Sequence, residues 1–120
     1  MVIFIDTYAM VEILEGNEKY LPYQSADFVT TRFNLFEIYY VVLQKYGKEK
    51  AEIVFKNYRS VAKEVDDEIL KSAAEFKLEH KRERFSFTDC IGYKYAEAIG
   101  VKFLTGDYPF KGFQNVEFVR

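Results

Sequence analysis

Val2-Ile3-Phe4-Ile5-Asp6-Thr7 begins with four consecutive apolar residues and ends in an acid and a hydroxyl. An unbroken apolar run of this length suits a strand buried on both faces, the situation in a parallel sheet flanked by crossover helices. Asp6 or Thr7 can cap a helix that starts at once and continues to about Glu15, where Gly16-Asn17 ends it. The chain therefore opens with a β-α unit. The same grammar returns near the other end: Gly100 terminates a helix, Val101-Lys102-Phe103-Leu104 reads as a strand, and Thr105-Gly106 leads into Asp107.

Between these two units the pattern alternates. A link containing Pro22 leads to a short strand at Asp27 to Thr30, and Thr30 or Thr31 can cap the next helix. That helix carries Phe33, Leu35, Phe36, Ile38, Tyr39, Tyr40, Val41, Val42 and Leu43, apolar nearly all round, which predicts burial between other elements. Gly47 breaks it. Lys48 to Tyr58 is a third helix with Ala51, Val54, Phe55 and Tyr58 on one stripe, and Asp66 opens a fourth with Ile69, Leu70, Ala73 and Phe76, fraying into Glu79 to Arg84. Ser86 or Thr88 caps a fifth helix from Asp89 to Ile99, whose Gly92 and Ala96 permit close approach to the sheet. A last strand covers Val116 to Val119. Strands alternating with helices predict a doubly wound α/β/α sandwich around a central parallel sheet, a single domain over residues 1–120.

Composition narrows the chemistry. The chain is 49% hydrophobic and 30% charged, so it can build a core and is not disordered. Its apolar runs fall far short of the ~20 residues of a membrane span, and no basic segment precedes Val2, so a cytoplasmic protein away from membranes is expected. One cysteine, Cys90, and one histidine, His80, exclude an internal disulfide and a His/Cys zinc site. Any metal must then be a hard, oxygen-bound ion such as Mg²⁺ or Mn²⁺.

Four acids, Asp6, Glu37, Asp89 and Asp107, fall just beyond apolar segments or early in the helices that follow them. Ligands bind outside the carboxyl ends of strands in open α/β sheets, and carboxylates gathered there repel unless cations or protons compensate. Each acid also has an ordinary explanation: Asp6 a cap, Asp107 a turn residue in Thr-Gly-Asp, Asp89 a favourable charge at a helix N-terminus, Glu37 an ion pair with a cation such as Arg32. Glu37 is the hardest to explain this way, because it shares a face with Phe33, Tyr40 and Val41 and a buried carboxylate needs a partner. The net charge of −2 argues against a phosphate partner, but with these four acids neutralised, 17 basic residues would face 15 acidic ones. Two divalent ions held by such acids can hydrolyse a phosphodiester without a histidine base. Like charges are expected to hold the pocket open until metal arrives.

Four short stretches carry a family resemblance, in order along nearly the full length. They are Phe4-Ile5-Asp6-Thr7, Asn34-Leu35-Phe36-Glu37, Phe87-Thr88-Asp89-Cys90-Ile91 with Tyr95-Ala96, and Leu104-Thr105-Gly106-Asp107. On these the chain resembles PIN domains, the metal-dependent ribonuclease fold of VapC-type toxins. The resemblance implies that Asp6, Glu37, Asp89 and Asp107 form the catalytic, metal-binding pocket, with Asp6 and Asp89 foremost as ligands and Thr7 and Thr105 supporting them by hydrogen bonds. It further implies an endoribonuclease acting on structured RNA, a small antitoxin that restrains it, and a homodimer. A stand-alone RNA-processing nuclease and an inactive RNA- or protein-binding module remain alternatives. Tyr8 departs from the small residues common after the first acid, and either narrows the pocket or stacks on a base. Lys94, Lys111 and Arg32 are the candidate RNA contacts, while the charged run Lys77 to Arg84 reads as a solvated helix end. Tyr39, Tyr40 and Tyr46 are expected in the core and dimer surface, and Cys90 as a small buried residue.

Two other metal-using folds fit less well. A haloacid dehalogenase-type phosphatase needs an acid where Tyr8 stands, and a receiver domain needs a mid-chain aspartate where Val54-Phe55-Lys56 stands.

Overall fold

The computed structural model describes residues 1–120. Five strands, β1 (Val2–Ile5), β2 (Asp27–Thr31), β3 (Ala62–Lys63), β4 (Phe103–Thr105) and β5 (Val116–Phe118), form one sheet in the order β3-β2-β1-β4-β5. All four pairings are parallel. The helices are α1 (Thr7–Leu14), α2 (Arg32–Tyr46), α3 (Lys48–Arg59), α4 (Asp67–Glu79) and α5 (Phe87–Ile99).

The two-residue period of a strand divides the core in two. Ile3 and Ile5 of β1, with Leu104 of β4, pack with Ala9 and Met10 of α1, Ile38 and Val42 of α2, and Ala51 and Val54 of α3. Phe4 and Phe103 point the other way and join Ala73 and Phe76 of α4 and Cys90, Ile91, Tyr93 and Ala96 of α5. This second layer is aromatic. Phe4 stacks on Phe103 with centroids 5.4 Å apart, and Phe85 stacks on Phe110 at 4.2 Å. Gly92 lets α5 sit against it, since a Cβ there would lie 3.0 Å from the Phe4 ring. The result is the expected α/β/α sandwich.

Strand order fixes where a ligand site belongs. The chain winds outward from β1 to β2 and β3, then crosses back to β4 on the other side of β1, so the winding reverses between β1 and β4. Loops leaving the carboxyl ends of these two strands diverge and leave a crevice.

Several expectations need correction. α2 is not buried all round: Ile38 and Val42 face the core, but Phe36 is 75% exposed and Phe33, Tyr40 and Leu43 also reach solvent. Its outward face is apolar without a covering element, which periodicity alone cannot distinguish from burial. Strand β3 was not anticipated, being two residues long, half-buried or exposed, and polar in sequence. β4 begins two residues later than expected because Gly100, in a left-handed conformation at φ 74°, is followed by a connecting Val101-Lys102. Of the alternative caps, Thr31 serves α2 and Ser86 serves α5. No helix is long and apolar enough to cross a membrane.

Candidate active site

Asp6 follows β1 at the reversal point. Its amide donates to the Leu104 carbonyl at 3.1 Å, so the ladder to β4 continues into the first residue of the crevice. The side chain is 1% exposed. Thr105 Oγ1 donates to Oδ2 at 2.8 Å, while Oδ1 is buried with no hydrogen-bond donor. With Oδ2 engaged by Thr105, Asp6 makes no side-chain cap to α1. Burial pushes its pKa well above the usual carboxylate range, the charges of Asp89 and Glu37 add to that, and the Thr105 hydroxyl opposes it.

Asp89 is fixed by local chemistry at the start of α5. Its Oδ2 accepts from the Ser86 amide at 2.9 Å and its own amide donates to Ser86 Oγ at 3.0 Å, a reciprocal capping box. The capping role is therefore real, and it occupies one carboxylate oxygen only. Burial raises the Asp89 pKa to about 6 against the pull of Ser86, with Glu37 and Asp107 adding repulsion. Asp107 lies beyond β4, half-buried and likewise raised by desolvation, with Arg120 opposing. Glu37 is half-buried on α2 and makes no ion pair; Arg32 pairs with Glu64 instead, at 3.4 Å. Asp89 and Glu37 thus act on Asp6, and Glu37 and Asp107 act on Asp89. No three of the chain's His, Cys, Asp and Glu side chains converge closely enough, as they stand, to hold an ion between them.

Beneath the acids runs a chain of buried polar groups. Thr30 Oγ1 donates to the Ile5 carbonyl at 3.0 Å, tying β2 to the residue before Asp6. Thr31 Oγ1 donates to Asn34 Oδ1 at 2.7 Å, and Asn34 Nδ2 donates to Thr7 Oγ1 at 3.0 Å. Thr7 therefore meets Asn34 where a direct bond to an acid was expected, and only Thr105 bonds a carboxylate. Thr105 Oγ1 also accepts from the Asp107 amide at 3.2 Å, so one hydroxyl links the two acids at the ends of β1 and β4. Asn34 is fully buried and had been given no role. Its signal was a polar residue three positions after the capping threonine, at the start of an apolar helix.

The candidate RNA contacts are dispersed. Lys94 Nζ bonds Glu97 at 3.0 Å and lies 5.2 Å from the centre of the Phe76 ring, on the α4 side. Lys111 lies 5.8 Å from the Phe118 ring. Tyr8 is half-buried near Arg120, whose guanidinium carbon is 5.8 Å from its ring, and burial and Glu12 raise its hydroxyl's pKa. Arg120, which sequence reasoning passed over, acts on the site, since its charge opposes the upward shifts of both Asp107 and the Tyr8 hydroxyl. Tyr40 and Tyr46 are exposed and Tyr39 is half-buried, its hydroxyl bonded to Glu52. Cys90 is buried, and its thiol is raised to about 11, chiefly by desolvation.

The sequence matches the PIN domain family over residues 3–116, and the chain belongs to that family. Among solved structures it is similar to the Mycobacterium tuberculosis toxin VapC20, described as cleaving the sarcin-ricin loop, with a TM-score of 0.78, 18% identity, and coverage of 95% of this chain and 98% of that one. A toxin-antitoxin complex from Klebsiella pneumoniae gives 0.75 at 13% identity, covering 96% and 95%. VapBC2 from Rickettsia felis, bound to a fragment of promoter DNA, gives 0.70 at 17% identity, covering 99% and 98%. At these identities the likeness is one of fold. No curated protein sequence matches the chain.

Proposed function

We propose that this chain is a divalent-metal-dependent endoribonuclease, the toxin of a toxin-antitoxin pair. The observation that carries the reading is Asp6: a fully buried carboxylate with one oxygen unpartnered and two further acids raising its proton affinity. Left in water-free surroundings, such a group destabilises the fold unless a proton or cation meets it. The donor set is all oxygen, which suits Mg²⁺ or Mn²⁺. Asp6 and Asp89 would be the principal ligands, with Glu37 and Asp107 completing the set. Mutual repulsion accounts for the acids standing apart as they are.

Held there by Asp6, Asp89, Glu37 and Asp107, such ions would supply activation of water and stabilisation of charge on a phosphodiester. The chain's own residues prepare for this. Thr105 orients Asp6 by its Oδ2, leaving Oδ1 open, and Ser86 holds Asp89 by its Oδ2, leaving the other oxygen open. The Thr31-Asn34-Thr7 chain fixes the start of α1 directly after Asp6, so the acid cannot drift from the crevice.

An antitoxin partner is supported by the exposed apolar face of α2 and by the toxin-antitoxin complexes among the similar folds. The chemistry is tested simply: purified protein should cleave RNA with Mg²⁺ or Mn²⁺ and not in excess chelator, and Asp6→Asn or Asp89→Asn should abolish cleavage with the fold intact. Equal activity in chelator or in both variants would sink the reading. Co-expression with the product of an adjacent short reading frame should give a complex in which cleavage is suppressed; an uninhibited complex would favour a stand-alone nuclease.

A further inference from the structure

We propose that Arg120 is the residue with which this site grips the RNA phosphate backbone, an inference that rests on the ribonuclease reading above. Register brings it there. β5 runs parallel to β4 with Phe118 beside Thr105, and the Val119 amide donates to the Thr105 carbonyl at 2.9 Å, so the chain continues alongside Gly106 and Asp107 to Arg120. Gly106 makes the approach possible, because a Cβ on it would lie 2.2 Å from the Val119 carbonyl oxygen. Tyr20 and Tyr23 hold the segment from the other side, donating to the Val119 carbonyl and the Glu117 carboxylate.

The guanidinium is held over an aromatic ring and is otherwise unspent. Its carbon lies 3.9 Å from the centre of the Tyr108 ring, and Nη1 donates to the Gly106 carbonyl at 2.8 Å. It forms no ion pair, although Asp107 is near enough to feel its charge. Of the other candidate cations, Arg32 is paired with Glu64 and Lys94 with Glu97, while Lys111 is unpaired but lies 5.8 Å from the Phe118 ring with no hydrogen bond to fix it. A residue serving only to neutralise Asp107 would be expected to touch it. An arginine fixed by a stack and one hydrogen bond, with its remaining donors free, instead presents the fork that suits a phosphate. An acidic pocket also needs such a cation at its rim, since a polyanion must be brought against four carboxylates.

The test uses a fluorescently labelled RNA hairpin and the full chain. Arg120→Gln should raise KM about tenfold with little change in kcat, and Arg120→Lys should fall between. In the cleavage-dead Asp6→Asn background, Arg120→Gln should weaken hairpin binding and lower the slope of log affinity against log salt by about 0.7 to 0.9, one phosphate contact. A staple without substrate contact would shift the melting temperature and leave that slope alone. Cleavage by the unaltered chain with an unchanged KM and salt slope in Arg120→Gln overturns this proposal and leaves the nuclease reading standing. An unaltered chain that neither binds nor cleaves RNA overturns both.

Discussion

Thr105 Oγ1 and Asp6 Oδ2 meet at 2.8 Å across the point where the sheet reverses its winding, 99 residues apart in sequence. The bond is made to the ionised form of a carboxylate that burial and two neighbouring acids push toward protonation, and the hydroxyl pulls the other way. Thr105→Val keeps the shape and removes that pull. The Asp6 pKa then rises further, the carboxylate is ionised only at higher pH, and the acidic limb of kcat/KM shifts upward in pH. A pH-rate profile identical to that of the parent would show that Thr105 does not tune Asp6.

Asp89 makes the metal-free protein respond to pH in an unusual direction. Its pKa is raised on folding, from the ordinary 3.8 to about 6, so between these values the folded chain holds a proton that the unfolded chain has released. Stability from this group is therefore fully present at low pH and is lost as pH rises toward 6. Asp6 and Asp107 are raised as well and act with the same sign. In chelator, the melting temperature should be higher near pH 5 than at pH 7, with carboxylates outside the pocket opposing this only at lower pH. Asp89→Asn keeps the capping acceptor for Ser86 and removes the charge, so it should raise the melting temperature at pH 7 and flatten the dependence. Melting curves at fixed ionic strength decide it, and a stability that climbs steadily from pH 5 to 7 would refute the assignment.

Much of this arrangement was legible in the chain because local chemistry wrote it. Val2 to Ile5 had to be a strand with Ile3, Phe4 and Ile5 buried, and Gly47 and Gly100 had to end helices. What was hidden depends on pairing between distant segments. Nothing near Arg120 indicates that β5 will lie in register with β4 and carry it beside Asp107. Phe36 and Tyr40 misled for a related reason, since an apolar residue reports that it can be covered and not that this chain covers it. Asn34 was within a quoted motif, yet its bond to Thr7 depends on how α2 and α1 meet.

Asn34 should prove a structural hub under the pocket. Fully buried, it accepts from Thr31 and donates to Thr7, so Asn34→Ala leaves two hydroxyls without their partner and should destabilise by about 2 kcal/mol. If the contact with Thr7 carries part of that, Thr7→Val will be less harmful in the Asn34→Ala background than alone. Denaturant unfolding of the two single variants and the double variant gives the coupling. Strictly additive losses would mean the two side chains do not support each other.

Gly106 tests whether the last strand is truly drawn against the site. Its backbone does not adopt a left-handed conformation, so freedom of φ does not explain the glycine. The reason is contact: a Cβ would stand 2.2 Å from the Val119 carbonyl oxygen and 2.5 Å from the Tyr8 ring. A side chain can turn away from such a clash, but the carbonyl belongs to backbone paired with Thr105 and accepting from Tyr20, and it cannot retreat alone. Gly106→Ala should therefore cost about 3 kcal/mol, the upper range for an overpacked position, and should displace the segment that carries Arg120. Unfolding would register the first effect. The second would appear as weaker hairpin binding that Arg120→Gln no longer worsens, because the cation has already been moved from the pocket. A Gly106→Ala chain with unchanged stability would mean that the Val119 carbonyl stands farther from Gly106 than the 2.2 Å approach to its Cβ position implies.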